Sequence, residues 1–189
     1  MKKVMMCLAL AAATVASAEL KIATVNMVDL VRLHPNHEAN RTLVKTTDAE
    51  YKEKLQKRQD ELKQISADMK KIYEDMQNPM LSASAKADAQ KKFDDAQKKG
   101  MQAQQDFRMA AQRFNSDLTD LETRLLKLET EDIRSKINAF AKANKYDIIA
   151  DSTMLAFASP KLDVTDEILK AMNVDPAKRN EKNADDAKK

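Results

Sequence analysis

Apolar residues recur along most of the chain at alternating spacings of three and four, with charged and amide side chains between them. In a first run these positions are Tyr51, Leu55, Arg58, Leu62, Ile65, Met69, Ile72 and Met76. In a second run they are Ala89, Phe93, Ala96, Gly100, Ala103, Phe107, Ala110, Phe114, Leu118, Leu121, Leu125 and Leu128. This spacing is the heptad seam of a coiled coil. The two runs predict an antiparallel helical hairpin over residues 37–128, which we call the arm.

The two runs meet at Asn78-Pro79. Proline lacks a backbone N–H and disfavours the helical conformation of the residue before it, so the first helix should end here. Ser82 or Ser84 can then cap the return helix. With the tip near residue 81, the predicted partners across the hairpin are Met69 with Phe93, Leu62 with Gly100, and Leu55 with Phe107. A glycine in mid-helix costs about 1 kcal/mol relative to alanine, so the arm should be softest near Gly100.

Shorter elements flank the arm. Strands are predicted at residues 21–27, 146–151 and 154–158, because apolar and β-branched residues are concentrated there. Asp29 is predicted to cap a short helix that runs through Leu33, and the return helix should end near Asn144. A final helix is predicted at residues 164–172 with Asp163 as its N-cap. Residues 19–36 and 129–174 therefore form a second unit, the base.

Three short strands have exposed edges and little core of their own. They need cover from helices of the same chain or from further copies of the sheet. The fold class expected is mostly α with a small β part: a long antiparallel coiled-coil hairpin on a short-stranded oligomerisation sheet. The residues predicted to form the oligomer interface are Ile22, Val25, Met27, Ile148, Ile149, Leu155 and Phe157.

The two ends of the chain are predicted to lie outside the fold. Residues 1–18 combine a basic start, a short apolar run and the small-residue site Ala16-Ser17-Ala18, the pattern of a cleaved secretory signal peptide. Cys7, the one cysteine, lies inside that signal, so no disulfide is expected. Residues 175–189 are charged and lack periodicity, which predicts a disordered tail.

Composition argues against several functions. The chain has 33 basic and 30 acidic residues, and without Lys2 and Lys3 the formal charge is close to neutral, which disfavours nucleic acid as a partner. His34 and His37 have a helical spacing that could hold a metal, but Pro35 separates them and no third ligand is near. One glycine in 189 residues leaves no phosphate-binding loop or nucleophile turn, so neither an enzyme nor a cofactor is expected.

The arm offers candidate binding residues of two kinds. Lysines toward the tip are interleaved with acids, and their mild excess could attract acidic partners or lipid headgroups or carry no function. Methionines suit contact with varied partners, although plain packing is the alternative. The candidate binding residues are Lys70, Lys71, Met76, Met80, Leu81, Lys86, Lys91, Lys92, Met101 and Met109.

The segments LKIATVNM at 20–27, YDIIAD at 146–151 and LDVTDEIL at 162–169, together with the long charged hairpin, resemble the Skp (OmpH) family of periplasmic chaperones. The resemblance covers the chain from the predicted cleavage site to about Val174. It implies a homotrimer whose base sheets join, and whose arms enclose unfolded outer-membrane β-barrel proteins without ATP. It also implies a periplasmic location. The arms of the family have basic tips, so the resemblance also implies contact with anionic lipid or lipopolysaccharide. The near-neutral charge of this chain favours only a weak contact of that kind. The alternative is a structural or tethering coiled-coil protein of the cell envelope.

Overall fold

The computed structural model describes residues 20–179, so the predicted signal peptide lies outside the described residues. The elements, in chain order, are β1 (Ile22–Val25), α1 (Met27–Arg32), α2 (His37–Met76), α3 (Ala83–Asn144), β2 (Ile148–Asp151) and α4 (Thr165–Ala171). Two 3₁₀ turns, Ser152–Met154 and Pro160–Leu162, lie between β2 and α4. None of the helices in this part of the chain is long and apolar enough to cross a bilayer.

The predicted hairpin is present. α2 has 40 residues and α3 has 62, which correspond to about 60 Å and about 93 Å of helix. Ser82 caps α3, since its side chain accepts a hydrogen bond from the backbone N–H of Ala85. α2 contains no buried residue, and in α3 only Glu129 and Ile133 are buried. The arm is therefore a slender two-helix rod with a half-covered seam, and the longer α3 continues into the base.

Contacts across the arm differ from the predicted pairs by about one helical turn. Tyr51 stacks on Phe114, with ring centroids 4.3 Å apart. Gly100 lies against Ile65 instead of Leu62, and a Cβ placed on it would be 3.5 Å from Ile65 Cγ2. The cause is the lean of helical side chains toward the N-terminus of their own helix. The two helices of the hairpin run in opposite directions. Each residue of a contacting pair therefore lies C-terminal, along its own helix, to the point where the two side chains meet, so the contacting residues have higher numbers than a count from the tip gives.

The base sheet is smaller than predicted. β1 and β2 pair in parallel, with Ile22 opposite Ile148, and they are the two strands of the sheet in the described residues. On the other side of β1, Thr24 forms a single bridge to Asp163. The strand predicted at 154–158 is wrong. The Asp151 carboxylate accepts hydrogen bonds from the Thr153 N–H and hydroxyl, at 3.0 and 2.9 Å, and so turns the chain directly after β2.

A small core holds the base together. It joins β1, α1, the last third of α3 and α4, and its fully buried side chains include Leu30, Ile133, Ile168 and Leu169. Phe140 stacks on Tyr146 beside it, with centroids 5.7 Å apart. Because α3 supplies both one side of the arm and one wall of this core, the base fixes the root of the arm.

Helix ends in the base also differ in detail. Asn26 caps α1, accepting from the Asp29 N–H, whereas Asp29 was the predicted cap. Val164 occupies the N-cap position of α4, and Asp163 accepts from the Thr165 N–H at 2.9 Å. The tail was predicted to be disordered from 175, but residues 177–179 form a helical turn on the base. Its remainder, from 180, lies outside the described residues.

Candidate functional site

The tip of the arm presents apolar and basic side chains to solvent. The Met80 side chain is 89% exposed, and Leu81 beside it is half-buried. The Asn78 side chain accepts a hydrogen bond from the Met80 N–H at 3.0 Å, which fixes the turn that presents Met80. The predicted lysines of the tip are all exposed: Lys70, Lys71, Lys86, Lys91 and Lys92. The tip thus presents one protruding methionine, with exposed lysines and interleaved acids on the helices beside it.

The other predicted methionines fall into two groups. Met76 is half-buried in the seam, together with Met69. Met101 and Met109, on α3, are 60% and 50% exposed. Met76 therefore packs between the helices, while Met101 and Met109 offer apolar surface along the shaft of the arm.

Some charges along the arm are paired within their own helix. Lys57 bonds to Glu53 at 2.7 Å, and Lys63 to Asp60 at 3.0 Å. The hydrogen bond from Lys57 lowers the pKa of the Glu53 carboxyl, and the hydrogen bond from Lys63, followed by that from Gln56, lowers the pKa of Asp60. Such exposed pairs stabilise a helix only slightly.

One face of the arm is hollow at its middle. The hollow has a volume of about 710 Å³, and the stacked rings of Tyr51 and Phe114, Met109 and Arg58 line it. Arg58 occupies a heptad position that an apolar residue would normally fill. Arg58 lies at a seam position of the heptad pattern, which predicts no cavity; the signal in the sequence is a charged seam residue in a hairpin whose other helix has small seam residues such as Ala110.

Both histidines of the chain lie at the root of the arm, where they contact carboxylates of α3. His37 Nδ1 is 3.1 Å from Glu129 Oε2, and His34 Nε2 is 3.2 Å from Asp132 Oδ2. Glu129 is buried and also accepts from the Asn40 amide at 2.7 Å. No group of three or more side chains within residues 20–179 could hold a metal ion. His34 therefore joins the loop before α2 to α3, and His37 joins the first turn of α2 to α3.

The predicted interface residues are divided between the core and the surface of the base. Val25 is buried in the core of the chain itself, and Met27 and Ile149 are half-buried against that core. Four are exposed: Ile22 at 40%, Ile148 at 47%, Leu155 at 42% and Phe157 at 84%. Sequence reasoning missed three exposed apolar neighbours, Leu20, Val28 and Met154. Ile22 and Ile148 are paired across the two strands, so the sheet itself presents apolar surface to solvent.

A network of carboxylates around Arg179 ties the end of the chain to the base. The Arg179 guanidinium donates to Asp29 at 2.8 Å, to Asp163 at 2.9 Å and to Asp166 at 3.2 Å. Burial alone would raise the pKa of the Asp163 carboxyl, but hydrogen bonds from Thr165 and Arg179 outweigh it and leave that pKa below its usual value. The same carboxylates raise the pKa of Arg179 despite its partial burial. Arg179 thus connects α1, the loop before α4 and α4.

The fold and the exposed surfaces together define a class of protein: a long helical arm on a small α/β base whose sheet is not fully covered. The family described as "Outer membrane protein (OmpH-like)" matches residues 21–172, and the chain belongs to that family. No curated protein sequence gives a significant match. A crystal structure described as "a putative outer membrane chaperone (OmpH-like)" from Caulobacter crescentus CB15 has a similar fold, with a TM-score of 0.58. It is 14% identical, and the match covers 82% of this chain and 85% of that one.

Proposed function

We propose that this protein is an ATP-independent holdase chaperone of the periplasm, which binds unfolded outer-membrane β-barrel proteins between helical arms and keeps them from aggregating. Membership of the OmpH-like family and a fold shared with an OmpH-like outer membrane chaperone support the proposal. The signal-peptide pattern of residues 1–18 supports export. A holdase needs no reaction, because binding the unfolded chain lowers the concentration free to aggregate.

The observation that carries the proposal is the shape of the arm. The arm consists of two helices, and α2 contains no buried residue. Both faces of the arm are therefore exposed along about 60 Å. Apolar side chains protrude from them at Met80, Met101 and Met109. Flexible, polarizable methionine side chains adapt to partners of different shape, as a chaperone for many clients requires.

The arm acts in an assembly of three copies. The base presents exposed apolar side chains, including Ile22, Ile148 and Phe157, and contiguous exposed apolar surface is typical of interaction sites. β2 is also an edge strand in the described residues, and a second copy would cover that edge. In a homotrimer joined through the bases, three arms would enclose one space.

The basic tip suits weak contact with anionic lipid or lipopolysaccharide. Lys86, Lys91 and Lys92 are exposed, and a cluster of lysines is attracted to an anionic surface. Acids such as Asp88, Asp94 and Asp95 reduce that attraction, so the contact would be weak and sensitive to salt.

The test is suppression of aggregation. A urea-denatured outer-membrane β-barrel protein is diluted into buffer with the mature protein, residues 19–189, and light scattering is followed. Near-stoichiometric trimer should keep scattering low without ATP. A protein that assembles but leaves scattering unchanged would instead be a structural spacer of the envelope.

A further inference from the structure

The first helix of the arm joins the base through a short linker, residues 33–36, whereas α3 runs unbroken from the arm into the base. The linker contains His34, and α2 begins at His37. Their rings contact Asp132 and Glu129, two carboxylates three positions apart on one face of α3. The attachment of α2 to α3 at the root of the arm therefore includes two imidazoles, the side chain whose charge changes between about pH 5 and pH 8.

The protonation state of His34 follows from its two hydrogen-bond partners. The backbone N–H of Asn36 donates a hydrogen bond to Nδ1 of the ring at 3.2 Å. An imidazole nitrogen that accepts a hydrogen bond carries no proton, so the single proton of the ring lies on Nε2. Nε2 then donates to Asp132 at 3.2 Å. The folded linker thus holds His34 as the neutral imidazole, and this ring connects the N-cap residue of α2 to α3.

A second proton on His34 is incompatible with this arrangement. The proton would lie on Nδ1 and meet the Asn36 N–H, so that two donors would face each other. The His34 side chain is also only 5% exposed, and burying a charged group is costly unless it is well paired. Asp132 is 49% exposed, and an ion pair with an exposed carboxylate offsets little of that cost. Protonation of His34 therefore requires the linker to open.

The other charged groups at the root leave this conclusion unchanged. His37 donates through Nδ1 to Glu129 whether its ring is neutral or charged, so acid keeps that bond. On α1, Arg32 pairs with Asp29 at 2.7 Å. The cavities beside His37 are lined by further ionisable side chains of α2, α3 and β2, and His34 lines neither cavity. These side chains are Arg41, Lys45, Glu122, Arg134 and Asp151.

We propose that His34 is a pH-sensitive latch, which holds the start of α2 against α3 at neutral pH and releases it in acid. An exposed imidazole takes up a proton below a pKa of about 6.5, whereas the latched ring has no place for one. The stabilisation from the latch is therefore complete above about pH 6.5 and decreases as the pH falls, because the open form binds the additional proton. At about pH 5.5 proton uptake raises the population of the open linker roughly tenfold. The latch is a property of the fold and stands apart from the holdase function.

The experiment measures hydrogen exchange of the mature protein at pH 7.5 and pH 5.5. Each rate is divided by the intrinsic exchange rate at that pH, and one protein concentration is used throughout. In the wild-type protein the protection of residues 33–44 should fall roughly tenfold in acid, while residues 55–65 keep theirs. The test variant is His34→Asn, because the Asn carbonyl accepts from the Asn36 N–H but cannot be protonated. In this variant the protection of residues 33–44 should be equal at both pH values.

The matched control is His37→Asn, whose side-chain amide can donate to Glu129 in place of the ring. The acid effect on residues 33–44 should persist in this variant. Equal protection at both pH values in the wild-type protein would overturn the proposal. An acid effect that survives His34→Asn, or one that is lost in His37→Asn, would overturn it as well.

A second measurement needs no substitution in the linker. NMR of the wild-type protein with isotope-labelled histidine distinguishes protonated from bare imidazole nitrogens. At pH 7.5 His34 should show a bare Nδ1 and a protonated Nε2, and its ring should become charged only as the protection of residues 33–44 falls. A charged His34 ring with that protection unchanged would contradict the latch.

Discussion

Replacing Arg179 by glutamine should loosen the base. Arg179 is 20% exposed and bonds to three carboxylates, of which Asp29 is the most buried, at 7% exposed. A net charge-assisted hydrogen bond to a buried group is worth about 1.5–3 kcal/mol, whereas exposed ion pairs add a few tenths. In the variant, Asp29 would still form its ion pair with Arg32, at 2.7 Å, which limits the loss of stabilising free energy. We therefore expect the substitution to lower the opening free energy of the base by about 2 kcal/mol.

Hydrogen exchange of residues 164–174 measures this effect directly, because α4 and the end of the chain open only when the base loosens. Lys178→Gln is the matched control, since it removes a neighbouring exposed charge that makes none of these bonds. The assembly state must be held constant by using one protein concentration. Equal exchange in the two variants would refute the assigned role of Arg179.

The same network predicts a pH dependence. The folded-state pKa of Asp163 is lowered, so its contribution to stability is present above the pKa of the unfolded chain. This contribution to stability begins to fall when the pH drops below the pKa of Asp163 in the unfolded chain, about 4. It is fully lost when the pH has passed below the lower pKa of Asp163 in the folded protein. The difference between the wild-type protein and Arg179→Gln should therefore shrink in acid. A difference that stays constant from pH 7 to pH 3 would contradict the role of this carboxylate.

Two further substitutions test the arm and its root. Gly100→Ala should stabilise the middle of the arm by about 1 kcal/mol, because the added Cβ meets Ile65 at an ordinary contact distance; unchanged hydrogen exchange over residues 96–106 would contradict this. His37→Leu should destabilise the protein by about 1–3 kcal/mol in urea unfolding, because buried Glu129 keeps only the bond from Asn40. The exposed change Lys45→Leu serves as control, and equal midpoints for both variants would refute the argument.

The arm could be predicted from the sequence because its contacts are periodic. The heptad positions from Tyr51 to Met76 and the break at Pro79 determine where the helices lie and where they turn. The predicted contacts across the hairpin differ from the observed ones by about one helical turn, because counting residues from the tip ignores the tilt of helical side chains toward the N-terminus of their helix. The OmpH-like family was correctly recognised from the short segments at the two ends of the chain.

The base was harder to predict because its contacts join distant residues. Residues 154–158 have the composition of a strand, yet the bonds between Asp151 and Thr153 turn the chain away from the sheet. The end of the chain has the composition of a disordered tail, but Arg179 meets Asp29, which lies 150 positions earlier. Composition within a short window cannot show such partners. The predicted binding and interface residues remain predictions.

The most direct test of the account is the mass of the complex that the mature protein forms with an unfolded client. Native mass spectrometry of the protein mixed with a denatured outer-membrane β-barrel protein should show three copies of this chain with one client bound. A trimer with no client bound would agree with the predicted assembly but contradict the holdase function. A monomer, with or without client, would contradict the central claim that several arms enclose the client together.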